Sequence, residues 1–75
     1  MKKLYKTNRK VALSNHLIID GGEEVTHIGM EEDELTGIYC HVLEYSGNKL
    51  LVYPNFFSKY FTFLTNINSQ PNKEV

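Results

Sequence analysis

The chain has 75 residues, a formal net charge of −1, 41% hydrophobic residues, one Cys and no Trp. A chain this short forms one domain that buries only about 60% of its unfolded surface, and the lone Cys40 excludes an intramolecular disulfide. No apolar run approaches the ~18 residues of a membrane-spanning helix, and the positive start MKKLYKTNRK lacks the apolar stretch of a signal peptide, so a cytoplasmic setting is expected.

The near-zero charge hides a segregation. Lys2, Lys3, Lys6, Arg9 and Lys10 form a wholly positive segment, residues 1–10, expected as a basic N-terminal arm. Asp20, Glu23, Glu24, Glu31, Glu32, Asp33 and Glu34 form a wholly negative stretch. The two blocks can neutralise each other within the fold, or one of them can be a docking surface. Asn, Lys, Ile and Tyr, all with A/T-rich codons, point to a low-GC bacterium or its phage.

Residues 10–20, KVALSNHLIID, alternate apolar and polar positions on either side of Ser14-Asn15, which predicts one bent strand or two short ones. Asp20-Gly21-Gly22 is a turn signal. Residues 24–30, EVTHIGM, alternate again and are dense in β-branched side chains. The acidic run Glu31–Glu34 reads as a solvated loop closed by Thr36-Gly37. Residues 38–45, IYCHVLEY, and 49–53, KLLVY, flank Ser46-Gly47-Asn48 and predict a hairpin.

Pro54 cannot donate to a ladder and ends that strand. Asn55-Phe56-Phe57-Ser58 is expected as one tight turn of 3₁₀ character, and residues 60–64, YFTFL, as a last short strand. A helix is the alternative for residues 55–64, because Phe56, Phe57, Tyr60, Phe61 and Leu64 also share a helical face and Pro54 suits a helix start. Residues 65–75 have little to bury and are expected as a flexible tail. The expected core is Val11, Leu13, Val25, Ile28, Ile38, Cys40, Val42, Leu50, Val52, Phe61 and Phe63.

This order of strands and punctuation predicts a mainly β fold. It resembles the Src-homology-3-like small barrel over residues 11–64. Val52-Tyr53-Pro54-Asn55-Phe56-Phe57 stands where that superfold places a turn of 3₁₀ helix, Gly22 to Ile28 looks like its second strand, and Ile38 to Val42 like its third. The resemblance implies four to five short antiparallel strands and no particular function. The Trp used by proline-rich-peptide binders of the superfold is missing; Tyr39, Phe56 and Phe57 are the substitutes at hand.

His16, His27, His41 and Cys40 do not make a metal motif. Cys40 and His41 are adjacent on a strand and point to opposite faces, so only one of them can join His27 across a sheet. Cys40 reads as a small core residue. A barrel this small leaves no room for a deep catalytic pocket, so neither enzyme activity nor a cofactor is expected. Glu31 to Glu34 lack the alternating ligands and central Gly of a calcium loop. The expected function is a protein-interaction module, an adaptor or inhibitor, using Glu31, Glu32, Asp33, Glu34, Tyr39, Tyr53 and Phe56, with a second copy of the chain among its candidate partners. The alternative is nucleic-acid binding through Lys2, Lys3, Tyr5, Lys6, Arg9 and Lys10.

Overall fold

The computed structural model describes residues 2–14 and 17–67. Among them are seven strands and one helix: β1 (Lys2–Thr7), β2 (Val11–Ser14), β3 (Leu17–Ile19), β4 (Glu24–Glu32), β5 (Tyr39–Tyr45), β6 (Asn48–Val52), α1 (Pro54–Tyr60) and β7 (Phe61–Ile67). The fold is mainly β. Five strands make one antiparallel sheet in the order β6-β5-β4-β1-β7, and β2 and β3 pair as a separate hairpin. The sheet does not close into a barrel.

The hairpin and the helix cover one face of the sheet. Val11 and Ile19, directly opposite each other in the β2–β3 ladder, join Val25, Leu43, Val52, Phe57 and Phe61 in one buried cluster. Tyr5, Leu13, Tyr45, Leu50, Phe56 and Tyr60 pack around it.

Several expectations are corrected. Residues 2–7 of the basic segment are strand β1, hydrogen-bonded on both sides, to β4 and to β7. The alternation Leu4-Tyr5 gave little periodic signal between lysines, and only the pairing partners supply the reason for a strand. Residues 54–60 form an α-helix rather than a 3₁₀ turn and strand. Pro54 occupies its first turn, where a missing N–H costs nothing. The Phe57 N–H donates to the Tyr53 carbonyl at 2.9 Å, and the helix buries Phe57 to 5% exposure. β-propensity of the aromatics loses to that burial. The last strand runs to Ile67 instead of Leu64, so residues 65–67 belong to the sheet. Residues 68–75 of the expected tail lie outside the described residues, as does His16. Glu31 and Glu32 end β4, and the acidic loop shrinks to the turn after it.

The core corrections arise from an irregular register in β4 and from residues that fall outside the expected strands. Val11, Val25, Cys40, Val42, Val52 and Phe61 are buried as expected. Ile28, Ile38 and Phe63 are exposed by 36%, 44% and 48%. A register shift between His27 and Gly29 makes Ile28 the extra residue of β4 and turns it out. Ile19, Leu43 and Phe57, absent from the expected core, are buried. Leu43 lies on the opposite side of β5 from Cys40 and Val42, so both faces are covered at the centre of that strand.

The predicted β5–β6 hairpin is present with a two-residue turn. Ser46 and Gly47 have φ of 51° and 78° between the paired Tyr45 and Asn48. Two successive positive φ values define the turn whose twist matches the strands, and Gly supplies one of them without strain.

Candidate functional site

The sequence builds a concave surface where α1 meets the β4–β5 turn. Because Pro54 starts the helix directly after β6, the side chains of Tyr53, Pro54, Asn55 and Phe56 stand at the sheet's end. One concavity of about 560 Å³ is lined by Ile38, Tyr53, Pro54, Asn55, Phe56, Lys59 and Tyr60. A second, of about 300 Å³, is lined by Ala12, Leu13, Asp33, Leu51, Val52, Tyr53 and Phe56. Tyr53 and Phe56 belong to both. The result is a double cleft with an aromatic ridge between its halves, a carboxylate in one half and an ammonium in the other.

Local hydrogen bonds hold both ends. At the acidic end the Asp33 N–H donates to the Ile38 carbonyl at 2.8 Å, and the Gly37 N–H donates to the Asp33 carbonyl at 2.7 Å. The Leu35 N–H donates to Asp33 Oδ1 at 3.0 Å, and the Tyr53 hydroxyl donates to Asp33 Oδ2 at 2.6 Å. The Tyr53 hydroxyl, then the Leu35 N–H, hold the Asp33 carboxyl below the usual carboxylate range, so it is anionic at neutral pH. At the basic end, the Asn8 N–H and side-chain amide donate to the carbonyls of Tyr60 and Lys59 at 2.8 and 3.3 Å. They satisfy carbonyls that the end of α1 leaves free. The Tyr60 ring packs tilted against Phe56 at 4.6 Å, and the Arg9 guanidinium and Lys59 ammonium sit 5.9 and 5.6 Å from its ring centre.

Of the expected partner-binding residues, Asp33, Tyr53 and Phe56 line the cleft. Tyr39, 65% exposed, pairs with Glu32 beside it. Glu34 is exposed on the turn, where Leu35 is 95% exposed. Glu31 is ion-paired with Lys49 at 3.3 Å. Leu13, Pro54, Asn55, Lys59 and Tyr60 were missed. The helical spacing of Phe56 and Tyr60 was the signal for Tyr60.

The basic set is scattered by its strand. Lys3 lies opposite His27, Lys6 opposite Glu24, and Lys2, Lys3, Lys6, Arg9 and Lys10 are all exposed. Tyr5 does not project with them. Its ring packs at 4.7 Å from Phe57, 5.5 Å from Phe63 and 5.7 Å from His27.

Cys40 and His41 point to opposite faces, and His41 is the one that meets His27. Their nitrogens, His27 Nε2 and His41 Nδ1, are 2.9 Å apart. Cys40 is fully buried, its thiol directed at the Ile38 carbonyl, and burial pushes its pKa up, away from a reactive thiolate. Among the described residues no three His, Cys, Asp or Glu side chains gather as a metal site. Among the same residues no helix is long and apolar enough to cross a membrane. No protein-family model matches the chain, and neither a curated protein nor a solved structure does.

Proposed function

We propose that the protein is a small non-enzymatic interaction module of Src-homology-3-like architecture. It binds an extended segment of a partner protein across the Tyr53–Phe56 ridge, with basic groups of that segment against the acidic β4–β5 turn. The observation that carries this reading is the pair of concavities sharing Tyr53 and Phe56, with Asp33 in one of them. Exposed aromatic side chains bring large contact area at small entropic cost, which suits them as anchors. The charged turn adds selection for basic partners. The β4–β5–β6 meander, the helical turn led by Pro54 and the following strand β7 support the architectural part.

Selection of random peptides displayed against the immobilised protein tests the proposal. Peptides rich in apolar and basic residues are expected, and their amide-shift footprint should cover Tyr53, Phe56 and Asp33. Tyr53→Ala or Phe56→Ala should weaken them at least about tenfold, a loss of about 1.4 kcal/mol. No enrichment, or a footprint elsewhere, sinks the reading.

Nucleic-acid binding is the second reading. It is favoured by Lys2, Lys3, Lys6, Arg9 and Lys10, all exposed, with the one described ion pair, Lys49–Glu31, elsewhere. A salt titration with single-stranded and duplex oligonucleotides decides it, since phosphate contacts give a steep salt dependence. Absence of affinity at low ionic strength removes it.

A further inference from the structure

A second cluster lies beneath the cleft. His27 on β4 and His41 on β5 face each other, with Nε2 and Nδ1 2.9 Å apart and the rings inclined by 61°. At that separation one nitrogen must carry a hydrogen and the other a lone pair. The pair sits in an aromatic box. His41 stacks on Phe57 with centroids 4.0 Å apart and planes 20° from parallel, and His27 lies 5.5 Å from the same ring.

The groups that face the pair are few. From β1 come Lys3, opposite His27, and the Tyr5 phenol ring. β4 sets Met30 opposite His41, β5 sets Leu43 opposite His27, β6 sets Val52 opposite His41, and α1 presents Phe57. Lys3 is the single charge in this set, and it is positive. No carboxylate is there to stabilise a second imidazolium.

We propose that the His27–His41 pair is a proton-operated latch beneath α1. Bridged by one hydrogen, the pair seats Phe57, and with it the helix that carries Pro54, Asn55, Phe56, Lys59 and Tyr60. Adding one proton preserves the bridge, because an imidazolium still donates to its neutral neighbour. Adding the second removes the acceptor and leaves two cations in contact beside Lys3. The rings then separate and α1 loosens.

Burial lowers the pKa of both histidines, and the charges of His41 and Lys3 lower that of His27 further. Both folded values therefore lie below the unfolded value of about 6.5, so the open state takes up protons first. The latch is fully effective above about pH 6.5 and is lost as pH falls through the lowered values. Its existence is independent of the cleft reading.

The test is an imidazole titration by NMR, with amide exchange across α1 corrected for the intrinsic rate. His27 and His41 should titrate as a coupled pair below a free-imidazole reference. Protection at Phe57 to Tyr60 should fall about tenfold between about pH 7 and about pH 5, while Val42 and Leu43 keep theirs. In His27→Phe/His41→Phe the α1 protection should be flat over the same range. Should that variant not fold, His27→Gln keeps a hydrogen-bonding side chain without a second titrating ring, and its α1 protection should also be flat. Independent titration at the reference value, equal loss in sheet and helix, or a transition surviving in either variant overturns the proposal.

Discussion

Thr7 shows how much one side chain can organise here. It is 1% exposed, and its hydroxyl donates to the Asp20 carbonyl at 2.6 Å while accepting from the Glu23 N–H at 3.1 Å. Its backbone bonds the same turn, through the Glu23 carbonyl and the Gly22 N–H. That turn is tight enough to bring the Gly21 Cα against Arg9, where an added Cβ would lie 3.1 Å from the Arg9 Cα. Thr7→Val keeps the volume and removes both side-chain hydrogen bonds, leaving the Glu23 N–H and the Asp20 carbonyl only the long 3.4 Å bond between them. Chemical denaturation should show a loss of about 1–3 kcal/mol. Asp33 is the corresponding polar centre at the cleft. Tyr53→Phe removes the hydrogen bond that does most to hold its carboxyl low. A depressed carboxyl contributes stability above its ordinary range and loses it as pH falls through the folded value. In Tyr53→Phe the Asp33 titration, followed by carboxyl carbon shifts, should therefore move up toward an ordinary aspartate.

At the level of elements, α1 is a seven-residue helix with no side-chain cap at its start. Isolated helices of this length do not hold in water, so tertiary contacts must supply what propensity lacks. Phe57 does this. It packs on Tyr5, His27, His41 and Phe61 with centroids 4.0 to 5.5 Å away. Lys59 in the last turn suits the negative end of the helix dipole, and Asn8 closes the final carbonyls. Phe57→Ala should cost about 3–5 kcal/mol. In a domain whose total stability is of that order, the variant should show an unfolded amide spectrum at room temperature. Phe56→Ala, half-exposed and in the cleft, should remain folded. The contrast separates the buried ring that holds the helix from the ring that the helix displays.

For the whole molecule, charge segregation survives folding. β4 carries Glu24 next to Lys6 at one end and Glu31-Glu32 at the other, about 25 Å away at the rise of an extended strand. The basic strand therefore does not neutralise the acidic turn. The described ion pair, Lys49–Glu31, is half exposed on both sides. Such pairs contribute about 0–1 kcal/mol. Lys49→Met should leave the denaturation midpoint nearly unchanged, within about 0.5 kcal/mol. A larger loss would show that the acidic turn needs internal compensation, which would weaken the proposal that it meets basic groups of a partner.

Period-two alternation and turn chemistry determined the mainly β character, the β2–β3 segment and the β5–β6 hairpin, because those signals are local. Charge and aromatic character alone picked out Asp33, Tyr53 and Phe56, which the fold brings to the lining of the double cleft. Burial of Cys40 followed from its position among β-branched and apolar neighbours. What the sequence could not determine depends on partners distant along the chain. β1 is a strand because β4 and β7 flank it, although its own residues read as a basic arm. Residues 54–60 are helical because the sheet offers Phe57 a place among Tyr5, His27 and His41. Ile28 faces out because a single extra residue in β4 shifts the register beyond it. The double cleft and the histidine pair belong to the same class. Each joins residues from elements that meet only when the β4–β5 ladder is set and α1 has closed over it.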